Sequence, residues 1–225
     1  MLIVTSLVVA LLASTPLAAD SAAAVTQPLP PLIVNLSIAA NISPTLLARV
    51  LEETTAIWRR SGFSFVWRPA AREVVPYART SEAGPALPAH LRVVIGNDRG
   101  QARANQVPLG WITFDDDHSP LPEIYVSYEN ANRLIEAARG FVGVASQMTG
   151  VQREVLLART IGRALAHEMG HYLLASKVHT AHGLMQASHS ASDFFATGNN
   201  AFRIDAAQLR SIDARLRSES ALVRQ

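Results

Sequence analysis

The chain contains no cysteine. That excludes disulfides, a lipid-bearing cysteine and every thiolate metal site. Any zinc bound here must be held by histidines and carboxylates. The absence says little about compartment, because a domain of this size can be stable without disulfide staples. Charge of one sign is also lacking. Lys plus Arg number 20 against 18 for Asp plus Glu, a formal net charge of +2, and the arginines are scattered along the chain. Neither nucleic acid nor an anionic membrane surface is expected as a partner. After the first residues no apolar run is long enough to cross a bilayer. No repeat is present, and the one Ser-rich stretch runs from Ala187 to Ser192.

What is present begins with an apolar run over residues 2–14, which ends at Pro16 and passes into Leu17-Ala18-Ala19-Asp20. This reads as a secretory signal peptide cut near Ala19 or within Ala22 to Ala24, although no Lys or Arg precedes the apolar run. The rival reading is an uncleaved anchor, but the run is short for spanning and Pro16 interrupts it. The expected organisation is a signal peptide and exit over 1–24, a Pro-rich linker over 25–31, one domain over 32–217 and a tail over 218–225. The expected location is secreted or periplasmic, without stable membrane association after cleavage.

Within the domain, Leu32 to Ile38 partly alternates and is β-branched, as a strand should be. Asn41 or Ser43 then caps a helix with Pro44 in its first turn and apolar positions Leu46, Leu47, Val50, Leu51, Ile57 and Trp58, ending near Gly62. Phe63 to Trp67 and Leu91 to Ile95 read as strands, with a Pro- and Ala-rich loop between them. Gly110 to Phe114 and Glu123 to Tyr128 read as two more, joined closely enough to pair antiparallel. A short helix is expected over Ala131 to Ala138, and a last one over Asp205 to Leu216. The longest helical pattern runs from Thr149 to about Ala175, opened by the capping box Thr149-Gly150-Val151-Gln152. The expected fold is α/β (α+β): a small mixed, mostly parallel sheet, a backing helix, a long active-site helix and a compact C-terminal helical part.

That long helix carries His167-Glu168-Met169-Gly170-His171, a His-Glu-x-x-His pattern. Histidines four apart share one helical face, so both imidazoles reach one metal ion while Glu168 points at a water beside it. This is the working core of a zinc hydrolase, with Glu168 as general base. A catalytic zinc usually holds three protein ligands, and two candidates follow, His179 and His182. If the helix ends near Ser176, a brief turn returns His179 to the metal, whereas His182 stands closer to Gly183-Leu184-Met185. His179 is the favoured third ligand. Asp115 to Asp117 with His118 reads as a solvated loop, since calcium loops space their ligands at alternate positions. His90 and His189 lack partners in the sequence and read as surface residues.

The arrangement of His-Glu-x-x-His, a third His and a Met in a tight turn resembles the metzincin class of zinc metalloproteases. It is still more similar to a group of small exported bacterial peptidases reading His-Glu-(Ile or Met)-Gly-His-x-Leu-Leu, then His, then Gly-(Leu or Ile)-Met. The close part of the resemblance covers about Thr160 to Gln186. It implies a metzincin-like fold, Zn²⁺ held by His167, His171 and His179, and Met185 lying below the metal. It also implies a peptide or protein substrate. Two departures matter. Metzincins place a Gly three residues after the second His and the third His three residues beyond it, where this chain has Leu174 and Lys177. The Tyr that some metzincins carry two residues after the Met is absent, with Ala187 in its place, so no tyrosine at that position assists the reaction. The activity expected is that of an exported zinc metalloendopeptidase. The alternatives are a zinc amidase acting on cell-wall peptide and a non-catalytic, zinc-stabilised binding module.

Overall fold

The protein is described from a computed structural model covering residues 31–69, 91–100, 108–138 and 147–222. The expected signal peptide, most of the linker, His90 and the last residues of the tail lie outside the described residues. Among the described residues five strands, β1 (Leu32–Ile38), β2 (Phe65–Pro69), β3 (Leu91–Gly96), β4 (Gly110–Phe114) and β5 (Pro120–Ser127), form one sheet in the order β2-β1-β3-β5-β4. All neighbours are parallel except β4 and β5. The sheet is therefore mixed and mostly parallel, as the sequence pattern leads one to expect.

Alternation along the strands sets which face is dry. Val34, Leu36, Leu91, Val93, Ile95, Ile124 and Val126 are all buried, and register brings them together across β1, β3 and β5. On the opposite face Arg92 meets Glu123 at 2.8 Å in an exposed ion pair. The core is completed by helices α1 (Pro44–Arg59) and α3 (Gly150–Leu174), with α2 (Tyr128–Ala137) beside them. Ser43 caps α1 through Leu46 N–H at 3.0 Å, ahead of a proline that needs no donor there. Helices α1 and α3 approach closely at Gly162, where a β-carbon would lie 2.9 Å from the Val50 carbonyl oxygen. Thr54 fills the seam, its hydroxyl donating to the carbonyls of Val50 and Gly162 at 3.0 Å each.

The chain after α3 is mostly irregular. It holds the short helix α4 (Ala191–Phe195), a 3₁₀ turn over Asn200–Phe202 and the last helix α5 (Ala206–Leu222). The stretch read from sequence as a Ser-rich loop up to Ser192 therefore runs into a helix, opened by a Ser190–Asp193 capping box. Among the described residues no helix is long and apolar enough to cross a membrane.

Candidate metal centre

His167 and His171 occupy the last two turns of α3 and project from one face, their Nε2 atoms 3.0 Å apart. The helix stops where Ala175 enters the left-handed region with φ 47°. A β-carbon makes that conformation costly by roughly 1 kcal/mol, which is why glycine is the usual residue there. Ser176 N–H caps the His171 carbonyl at 3.2 Å, and the chain then reverses. The reversal carries His179 over both helical imidazoles, with ring centroids 5.4 Å from His167 and 4.8 Å from His171. One ligand atom from each of the three rings lies within 4.8 Å of the others. The helix expected to end near Ser176 thus ends at Leu174, and the turn begins at the next residue. His182 stays outside the group, exposed, with its carbonyl accepting from the Thr180 hydroxyl at 2.8 Å.

The second reversal, Gly183-Leu184-Met185, supports His167. Gly183 has φ 82°, and a β-carbon there would come within 2.6 Å of the Arg203 carbonyl oxygen. Leu184 N–H donates to that oxygen at 2.7 Å, and Leu184's own carbonyl accepts from His167 Nδ1 at 2.6 Å. Met185 is fully buried, its thioether filling the space that a side chain on Gly170 would need.

The donor chemistry fits a cation. His167 Nδ1 faces the Leu184 carbonyl and His171 Nδ1 faces the Ser176 carbonyl, each at 2.6 Å. A carbonyl can only accept, so both Nδ1 atoms carry the proton and both Nε2 atoms present lone pairs. Those lone pairs oppose each other across 3.0 Å. A proton between them is disfavoured, since burial pushes His167 down to about 3 and also lowers His171, each further depressed by neighbouring imidazoles. A metal ion satisfies all three donors, and neutral imidazoles are common ligands for zinc and its neighbours in the first transition row.

Glu168 lies beside this group, 8% exposed, and burial alone raises its carboxyl to about 8. It fits against edge strand β4 because Gly110 has no side chain. A β-carbon on Gly110 would meet Glu168 Cγ at 2.8 Å. The imidazoles and Glu168 open onto a cleft of about 1400 Å³. One wall is β4, with Trp111 stacked on Tyr125 at 4.4 Å, and the other includes Ala164, His189, Phe194 and Phe202. Lys177 also lines the cleft, its ammonium 4.9 Å from the centre of the Phe114 ring.

Three further residues escape a reading of the sequence. Arg163, one turn before His167, is completely buried and binds Glu53 at 2.7 Å. It also donates to the carbonyls of Asp193, Ala196 and Gly198, pinning the α4 region to α3. His189 is a correction: it is not a free surface residue but stacks on Phe202 at 4.2 Å, with both ring nitrogens buried. Gly110 is recognisable only once Glu168 is seen against it. The Asp115–His118 segment is a tight exposed turn in which Asp115 accepts from Ser119 N–H at 2.8 Å. No family model, curated protein or solved structure matches the chain.

Proposed function

We propose that the protein is an exported zinc-dependent metalloendopeptidase. The observation that carries the reading is the convergence of His167, His171 and His179, one ring nitrogen of each within 4.8 Å of the others, beside the buried Glu168 in an open cleft. The metzincin-like order of His-Glu-x-x-His, third His and buried Met185 supports the same reading, and the apolar N-terminal run supports export. Zinc held by the three imidazoles would polarise the scissile carbonyl and make a nearby water more acidic.

The remaining work falls to this chain's own groups. Glu168 takes the proton from the attacking water and delivers it to the leaving amine. The carbonyls of Leu184 and Ser176 fix the orientation of the two helical imidazoles. Among the described residues strand β4 has β5 as its only neighbour in the sheet, so its outer edge offers backbone donors and acceptors to an extended peptide. Gly110 keeps that edge close to Glu168.

The test is hydrolysis of a mixed peptide library by zinc-loaded protein, with cell-wall peptide fragments in parallel. Cleavage of internal peptide bonds, lost on chelation and restored by zinc, is the expected result. Turnover of the cell-wall fragments alone identifies an amidase. Stoichiometric zinc without turnover of either substrate identifies a binding module.

A further inference from the structure

A second pocket, of about 330 Å³, lies where the end of α1 meets the segment following α4. Its apolar lining is Ile57, Phe202, Ile204 and Leu209, and the guanidinium-bearing residues Arg60 and Arg203 stand among them. Among the described residues no acidic side chain lines it. Arg203 donates to the neutral Asn200 side chain at 2.9 Å, and among the described residues neither arginine forms an ion pair. The wall also contains Asn199, 9% exposed, whose carboxamide oxygen is buried without a hydrogen-bond partner.

An apolar lining with two uncompensated cations describes a site for a small apolar molecule with one anionic group. The volume is near the lower end of ligand pockets, about 300–1,000 Å³, and too small for a folded partner. The pocket is also tied to the metal centre. Phe202 stacks on His189 in the metal cleft at 4.2 Å. The Arg203 carbonyl holds Leu184 N–H at 2.7 Å, and Leu184 in turn holds His167 at 2.6 Å.

We infer that this pocket binds a small amphiphilic monoanion, such as a medium-chain carboxylate, and that occupancy is felt at the three-histidine group through Phe202 and the Arg203–Leu184–His167 chain of contacts. Binding free energies couple reciprocally, so the metal must change the affinity for the anion by the same factor as the anion changes the affinity for the metal.

The probe is decanoate, titrated calorimetrically into the full-length protein with and without zinc. Saturable binding at one site is expected, with decanol at least about fivefold weaker and Arg60→Glu or Arg203→Glu weaker by roughly tenfold. Arg59→Glu alters an exposed neighbour outside the pocket and leaves binding unchanged. Decanoate affinity should differ between the zinc-loaded and zinc-free protein. Non-saturable uptake, equal binding of decanol, or an Arg59→Glu effect as large as that of Arg60→Glu overturns the site. Equal decanoate affinity with and without zinc overturns the link to the metal. No readout depends on peptide hydrolysis, so the pocket and the proposed enzymatic activity fail independently.

Discussion

The sheet with helices α1 and α3 faces the segment 175–204 across the metal cleft, and the two are held in place by different physics. In the first, stability comes from many buried apolar side chains, Val34, Leu91, Ile124 and Leu165 among them, so no single residue fixes the architecture. The second has one five-residue helix and one 3₁₀ turn, although Leu184, Met185, Phe195 and Phe202 anchor it in the core. Its course is set by directed polar contacts: Arg163 to three carbonyls, His171 to Ser176, His167 to Leu184, and Leu184 to Arg203. Most of those contacts are made by the imidazoles and by the arginine one turn before them. The order of this segment and the integrity of the metal group therefore depend on each other.

The largest effect should follow from removing His179, the imidazole that the irregular segment contributes to the group. His179→Ala should lose at least about 100-fold in metal affinity, as measured by competition with a chelator, while His182→Ala binds as the wild type does. The reverse pattern would assign the third ligand to His182. Next comes Arg163→Met, which strands the Glu53 carboxylate and three carbonyls without a donor. Unfolding stability should fall by about 3 kcal/mol, and metal affinity should fall with it. A core truncation such as Leu91→Ala should cost a similar amount without changing the metal affinity of the folded protein. If Arg163→Met leaves metal affinity intact, that arginine does not position the segment.

Two glycines of α3 make a smaller and sharper contrast. Alanine is the better helix former by about 1 kcal/mol, so each substitution should stabilise if space allows. A β-carbon on Gly150 would meet nothing within 4 Å, and Gly150→Ala should be neutral or slightly stabilising. At Gly170 the new carbon collides with the buried Met185 thioether, and overpacking costs typically about 1–3 kcal/mol. A net loss of about 1 kcal/mol in unfolding stability, followed by urea denaturation, is expected, and a gain would show that Met185 yields freely.

The smallest effect is the pH dependence of the metal-free protein. Burial lowers His167 from 6.5 to about 3, so this group's contribution is present above pH 6.5 and lost as pH falls toward 3. Burial raises Glu168 from 4.5 to about 8, so its contribution is present below pH 4.5 and lost as pH rises toward 8. Between 4.5 and 6.5 the two slopes oppose each other. Stability without metal should therefore decline from pH 6.5 to 8 and again below 4.5, as followed by denaturant midpoints. A rise between pH 6.5 and 8 would show that Glu168 is not held in its neutral form.

The same contrast governs what is legible in the sequence. Strands β1 and β4 begin and end where alternation and turn residues place them, and the Thr149–Gln152 box opens α3 as its spacing predicts. The shared face of His167 and His171 is a local fact of helical spacing. Boundaries move where packing overrides pattern. Phe63 belongs to the turn after α1, edge-on to Trp58 at 5.5 Å, so β2 starts at Phe65. Ser127 caps α2 three residues earlier than its apolar residues suggest. Helix α4 leaves a trace in Ser190 and Asp193, a capping pair at the right spacing. Arg163 leaves none, because its partners lie 30 to 110 residues away and nothing in an apolar helical stripe marks an arginine as buried. His189 is hidden for a similar reason, since the ring it stacks on, Phe202, is not a neighbour in sequence.

Glu168→Gln tests the central claim most directly, because the carboxamide keeps the shape of the side chain against Gly110 but cannot accept the proton. Zinc content and peptide turnover are measured on the same preparation. Near-stoichiometric zinc is expected, with turnover reduced by a factor of roughly 10² or more. Undiminished turnover in the variant would contradict the role of Glu168 as general base.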